Sequence, residues 1–336
     1  MSRWDNNEWL NQVREDPIDP DREIVDPHHH LWRVPALRYE VSDLWADTGS
    51  GHKIVQTVFL ECGSDYREDG PDHLKPVGET EYLAEAAEAS EKDPSQATIA
   101  GIVSHADLTR ADLDEILDAH EAAGRGRFRG IRHSGARDED PAALTIPGRA
   151  PERLYYDEDF RRGVARLGER GLTYDTWHYH HQNPAYRDLA EAVPGTTMIL
   201  DHFGTPLGVG RFAGKRDEIF EAWKDDIAAI AQQPNVVAKL GGLAMPDNGF
   251  GWDGRDKPPT SDEFVEAQGR YYRHAIQCFG ADRCMFESNF PVDRLSISYG
   301  VLWNGLKKIA ADYSEAEQAA MFAGTARRVY RLDAAS

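Results

Sequence analysis

The strongest constraint on the fold is a rhythm: short β-rich runs recur along the whole chain, each followed by a longer stretch of helical periodicity. The runs are Ile24–Leu31, Ile54–Cys62, Thr98–His105, Phe128–His133, Leu172–His178, Thr197–Phe203, Val236–Leu243 and Cys284–Phe290, each bounded by turn residues or charge. Helical spacing fills the intervals Glu79–Glu91, Ala111–Ala123, Asp157–Arg170, Ala185–Val193, Glu218–Gln233, Asp262–Phe279 and Tyr299–Asp312, and Glu315–Tyr330 closes the series. In Glu218–Gln233 the residues Ile219, Phe220, Trp223, Ile227 and Ile230 form one apolar stripe that must pack on a sheet. Thr260-x-x-Glu263 and Ser314-x-x-Glu317 carry the capping-box pattern of a helix start.

Strand–helix alternation predicts a parallel sheet, and eight strands predict its closure into a (β/α)8 TIM barrel in preference to an open doubly wound sheet. No Gly-x-Gly-x-x-Gly follows the first run, which leaves a dinucleotide fold without support. The 336 residues fit one barrel domain, with 1–20 as an N-terminal extension and 245–260 as a loop insertion on the active-site face. Composition narrows the partners. Against 38 Lys and Arg stand 58 Asp and Glu, a net charge of −20 spread along the chain, which argues against nucleic acid. Cys62, Cys278 and Cys284 are odd in number and sit in apolar segments, as free thiols in a reducing compartment do. The start carries Asp5 and Glu8 in place of an apolar signal segment, and no apolar run approaches the roughly 18 residues of a membrane span. The expectation is a cytoplasmic protein acting on a small-molecule substrate, without nucleic-acid or membrane partners, with a homo-oligomer left open.

Polar residues collect at the C-terminal ends of the predicted strands: His28, His30, Glu61, His105, Arg132, His133, His178, His202 and Asn289. That end of a barrel is where active sites form, and unpaired polar groups in a core would cost several kcal/mol. In Asp26-Pro-His-His-His-Leu-Trp32, alternation aims His28 and His30 at one point and His29 away from it. Such a pair suits a divalent cation or a polarised substrate oxygen, against the plainer reading of a satisfied histidine cluster. Trp177-His-Tyr-His-His-Gln182 offers a second pair, His178 and His180. If His178 reaches the mouth it joins His28, His30 and His202 in a nitrogen-rich zinc site with an open position. His180, His181 and Gln182 read instead as loop residues with local hydrogen bonds, and Asp175 as a partner for an imidazole N–H. Glu61 is either functional or the partner of a nearby cation, and Lys239 either faces the mouth or makes a salt bridge. His105 and Asp107 close strand three or cap the next helix, and His133 faces away from Arg132.

Five stretches carry a resemblance: Asp26–Trp32, Arg129-Gly-Ile-Arg-His133, Ile199-Leu-Asp-His-Phe-Gly-Thr-Pro206, Lys239-Leu-Gly-Gly242 and Phe286-Glu-Ser-Asn-Phe-Pro-Val292. The chain resembles the amidohydrolase superfamily, and within it the lactonase-like group that includes L-fuconolactonase and pyrone dicarboxylate lactonase. The resemblance implies that His28 and His30 bind a metal, or polarise the scissile carbonyl with no metal present. It makes His202 the strand-six histidine and Arg132 a contact to substrate oxygens. Beside the resemblance, Glu61, Trp177, His178 and Lys239 are further candidates for contact with the substrate. Strand eight departs from the pattern, since Asn289 stands where relatives carry the aspartate general base. A carboxamide neither accepts a proton from water nor ligates a cation with charge near neutral pH. The base is then sought at Asp293, Glu287, Glu61 or a strand-five histidine, with Asp293 or a histidine preferred; the plainer role for Asn289 is a turn before Pro291. The expected activity is hydrolysis of a lactone or related cyclic ester. The alternatives are a lyase or decarboxylase reaction on the same barrel, and a barrel that has lost its base and only binds a ligand or partner.

Overall fold

The computed structural model describes residues 2–333. Eight strands form the barrel wall: β1 (Glu23–His29), β2 (Lys53–Leu60), β3 (Thr98–Ser104), β4 (Phe128–Arg132), β5 (Thr173–Thr176), β6 (Met198–Leu200), β7 (Val236–Leu240) and β8 (Cys284–Phe286). They run in sequence order, each parallel to the next, and helices cover the outside, so the TIM barrel expected from the alternation is the fold. The seam between β8 and β1 is closed at the C-terminal mouth, where His30 N donates to Phe290 O (2.8 Å) and Asn289 N to His28 O (3.0 Å).

The main helices are Val77–Ser90, Leu113–Ala123, Glu158–Glu169, Asn183–Ala192, Arg216–Ala231, Ser261–Phe279 and Tyr299–Ala310. Their starts follow the local chemistry. Asp157 caps one by accepting from Phe160 N (2.9 Å), and both capping boxes form, Thr260 with Glu263 and Ser314 with Glu317. Periodicity does not reveal the helix Val41–Thr48, whose eight residues make little more than two turns.

Two apolar layers hold the wall. Outside, Ile131, Tyr174, Met198, Leu200, Val236 and Leu240 pack under helix residues such as Phe160, Trp223, Ile227 and Tyr272. Inside, Val25, Val58, Leu60, Val103, Ile199, Val237 and Met285 meet Ala323, Ala326, Val329, Tyr330 and Leu332 of the C-terminal segment. That segment runs through Glu315–Ala319, a π turn at Ala320–Gly324 and Thr325–Tyr330. Arg327 pairs there with Glu23 at the start of β1 (2.5 Å), so the segment stoppers the strand-start end and leaves the opposite mouth for chemistry.

The strands differ from expectation at their C-terminal ends. β5 stops at Thr176 instead of His178, and β6 at Leu200 because His202 and Phe203 adopt left-handed backbone (φ 52° and 58°). In β1 the pairing with β2 slips between Asp26 and His29, so Val25 and His28 both face the barrel interior although three residues apart.

Thr260→Ala removes the acceptor of the Glu263 N–H and should cost about 1 kcal/mol of unfolding free energy, read from urea melts. The Thr260 backbone N–H and the Arg255 guanidinium hold the Glu263 carboxyl at about 2, below the usual carboxylate range. The stabilisation from Glu263 is therefore full above the unfolded pKa of about 4.3 and fades as pH falls toward 2. The cost of Glu263→Gln should shrink over the same interval.

Candidate active site

His28 and His29 end β1 and His30 follows directly, and the three rings alternate in direction as in a strand. His28 Nε2 and His30 Nε2 meet at 3.2 Å, while His29 turns outward to Thr57 Oγ1 at 3.0 Å. His30 Nδ1 lies 2.9 Å from Leu60 O, which can only accept, so His30 Nε2 keeps its lone pair and aims it at His28. His202 reaches the same place from beyond β6, its ring centroid 4.5 Å from that of His28.

The group that ties these rings together is Glu287, just after β8. Its Oε1 accepts from His202 Nδ1 at 2.7 Å, and its Oε2 sits 2.8 Å from His28 Nδ1, off the line of a hydrogen bond. Two glycines make room for it. A Cβ on Gly241 would strike Glu287, and one on Gly242 would strike the His202 ring; Gly242 also has φ +72°.

Below this layer Lys239 Nζ lies 2.9 Å from Asp175 Oδ1, 3.2 Å from Asp201 Oδ1 and 3.4 Å from His28 Nδ1. Of the two roles open to it in the sequence it takes the salt bridge, with no exposed surface, directly beneath His28. Arg132 comes from β4. Its Nε donates to Glu61 Oε1 (2.8 Å) and its NH2 to Glu61 O, while NH1 lies 3.4 Å from His28 Nε2 and 3.8 Å from Asp201 Oδ2. Glu61 thus clamps the guanidinium with one edge turned toward the imidazoles.

Four carboxylates, Glu61, Asp175, Asp201 and Glu287, face two cations, Arg132 and Lys239. Burial pushes the carboxyl of Glu287 up to about 8 and that of Asp201 up to about 7, while burial and then Lys239 hold the His28 imidazole well below its usual range. Lys239 keeps its charge, because Asp175, Asp201 and Glu287 outweigh the effect of burial.

This donor set fits a divalent cation. The spacing of 3.2 Å between His28 Nε2 and His30 Nε2 matches the edge of about 3.3 Å of a tetrahedron with metal–nitrogen bonds of about 2.0 Å. Both oxygens of Asp201 and Oε2 of Glu287 are buried without a hydrogen-bond donor. His28, His202 and Glu287 offer ligand atoms all within 4.8 Å of one another.

Two sequence candidates lie elsewhere. His178 does not join the cluster: the chain leaves the strand at Thr176, and the ring is buried between Asn183 Oδ1 (2.9 Å) and Tyr155 OH (3.2 Å). Asp293 is no free base. Its Oδ1 accepts from Asn289 Nδ2 (2.9 Å), its Oδ2 from Ala244 N (3.1 Å), and burial raises its pKa well above the carboxylate range. Asn289 has φ +56°, a left-handed conformation that asparagine tolerates better than most side chains. Trp177 is half-buried beside Tyr179, with its indole nitrogen unbonded. His105 Nδ1 contacts Arg132 O (3.1 Å), and His133 turns away to accept from Leu108 N (3.2 Å). His180, His181 and Gln182 make the local contacts of a loop, to Leu207, Arg137 and Gly135.

Asp201 escaped the sequence reading as a site residue. Next to His202 it should face the opposite way, but the left-handed turn at His202 brings both inward.

A barrel of this kind, with an HxH pair on strand one and a histidine beyond strand six, defines the amidohydrolase type of site. The amidohydrolase family model matches residues 25–332, and the chain belongs to that family. An uncharacterised protein of Sinorhizobium fredii, y4mH, is 31% identical over 334 residues, covering 93% of this chain and 99% of that one. L-fucono-1,5-lactonase of Burkholderia multivorans is 29% identical over 329 residues, 92% and 96% of the two chains. The crystal structure of an amidohydrolase from Burkholderia multivorans with bound zinc superposes with a TM-score of 0.71 at 25% identity, over 92% of this chain and 99% of that one.

Gly242→Ala should disturb this layer more than an ordinary glycine substitution. A left-handed alanine and the collision with His202 together should cost about 1–3 kcal/mol or more, measured by urea unfolding.

Proposed function

We propose that the protein is a hydrolase that opens the ring of a lactone or related cyclic ester. The observation that carries this reading is the convergence of His28, His30 and His202 on one point beside an edge of Arg132, at the mouth of a barrel whose relatives include a lactonase of matching length.

The residues divide the work by geometry. Arg132, held by Glu61, offers N–H donors to the ester carbonyl as negative charge develops on its oxygen. His202 gives its Nδ1–H to Glu287, so its Nε2 carries the lone pair that takes a proton from the attacking water. Water attacks the carbonyl carbon, the ring C–O bond breaks, and the released alkoxide takes a proton back to leave a carboxylate and an alcohol. Asn289 takes no proton; its carboxamide secures Asp293 and the turn after β8. His28 and His30 would hold a divalent cation, which we infer to be zinc, through Nε2. When bound, such an ion polarises an ester carbonyl and acidifies water.

The test is hydrolysis of a panel of sugar and dicarboxylate lactones in heavy-oxygen water. Solvent oxygen should appear in the product carboxylate, and its absence from a product that nonetheless forms would reject hydrolysis. His202→Asn should lower kcat by about 10²–10⁴-fold, the range for losing a general base. Asn289→Asp sets a second carboxylate against buried Asp293 and should lower both stability and turnover. A gain of lactonase activity in that variant would overturn the assignment of the base to His202.

A lyase reaction is the second reading, favoured by the carboxamide at Asn289, since carbon–carbon cleavage needs no activated water. Loss of carbon dioxide without uptake of solvent oxygen would identify it.

A further inference from the structure

The structure assigns a positioning role to Tyr330: entering the barrel from the strand-start end, it fixes Lys239 beneath the imidazole cluster. This inference rests on the reading of that cluster as the reacting centre. Tyr330 belongs to the short helix Thr325–Tyr330 of the C-terminal stopper and is completely buried. Its hydroxyl donates to Asp175 Oδ1 at 2.5 Å, the same oxygen that receives Lys239 Nζ at 2.9 Å. Thr173 Oγ1 donates to the other oxygen at 3.1 Å, so the carboxylate has three donors, from two strands and one helix. The Lys239 ammonium also stands 5.3 Å from the centre of the Tyr330 ring.

Above it, the same ammonium meets Asp201 Oδ1 and His28 Nδ1. One polar column therefore runs from Tyr330 through Asp175 and Lys239 to the ring that begins the active site. Apolar side chains of the inner wall surround it, Val25, Ile199, Val237 and Met285 among them. Lysine has a flexible four-carbon stem, and an apolar wall does not hold its charged end at one height. Asp175 does so, and the Tyr330 hydroxyl helps hold Asp175.

The residue type supports the argument. Ala323, Ala326, Val329 and Leu332, the other residues of the stopper in this core, are purely apolar, and phenylalanine would fill the place of Tyr330 equally well. A buried phenol is tolerated where its hydroxyl finds a partner, and here the partner is a group that acts on the site. The C-terminal stopper is thereby tied electrostatically to the mouth at the other end of the barrel.

The test compares Tyr330→Phe, which deletes one oxygen and keeps the ring, with Val329→Ala, which loosens the same helix without touching the column. Tyr330→Phe should weaken zinc binding to the metal-stripped protein by about 10–100-fold, read by calorimetry, and lower kcat for the lactone with KM nearly unchanged. Val329→Ala should lower the melting temperature and leave both quantities at the wild-type level. Wild-type zinc affinity and kcat in Tyr330→Phe overturn the assignment, and so does an equal loss in Val329→Ala, which would show general loosening. Should Tyr330→Phe fail to fold, Thr173→Val removes another donor to Asp175 and should shift zinc affinity in the same direction; no shift overturns it. If the wild type neither binds zinc nor opens a lactone, the proposed function fails, and the column is then judged from the crystal structure of Tyr330→Phe. Movement of Lys239 Nζ by about 1 Å supports it, a displacement that matters at a reacting centre, and an unmoved ammonium overturns it.

Discussion

The contact on which the site depends is the one between Glu287 and the two imidazoles His202 and His28. A carboxylate with no exposed surface is costly unless its oxygens meet donors, and here the one donor from the rings is His202 Nδ1. Each side resolves part of the other's problem: the ring partners Oε1, and the carboxylate fixes which nitrogen of His202 is left free. The backbone around them is shaped to allow it. Gly241 and Gly242 leave out the atoms that would collide, and His202, Phe203 and Thr205 take left-handed conformations that cost about 1–3 kcal/mol each in an ordinary chain. Such clustering of strain is what a site fixed by its surroundings requires.

Charge orders the rest of the interior. Lys239 is the sole cation under the rings among the described residues, and two aspartates share it. Arg132 at the rim is held by Glu61 and reaches Asp201 Oδ2 only at 3.8 Å. Both oxygens of Asp201 therefore stay without a hydrogen-bond donor. This makes the centre receptive to positive charge, in the form of protons or of a metal, without further rearrangement.

Much of the architecture was legible because barrel formation depends on patterns that repeat. Eight apolar runs, the stripe from Ile219 to Ile230 and two capping boxes reflect local physics and appear where expected. The HxH pair was legible for the same reason, since alternation alone predicts that His28 and His30 converge. Two departures share one cause: alternation does not hold past the point where the strand stops. His178 would reach the mouth only from a strand longer than one ending at Thr176, and Asp201 would face away from His202 only if His202 stayed extended. Asp293 departs for another reason, its oxygens being engaged by Asn289 and Ala244 N. No periodicity encodes a single left-handed residue. The proximity of Gly242 to that turn was the available signal, and it became interpretable only once β6 and β7 were seen side by side.

Strand eight shows where this chain keeps its acid. β8 ends at Phe286, Glu287 follows at once, and Asn289 two residues on is left-handed, so the two positions meet different neighbours. At 289 a carboxylate would lie beside Asp293, already buried and engaged by Ala244 N, and the two would repel. At 287 it reaches His202 Nδ1 at 2.7 Å and lies 2.8 Å from His28 Nδ1. The asparagine suits this place for two reasons: it tolerates the left-handed turn, and its Nδ2 donates to Asp293 Oδ1.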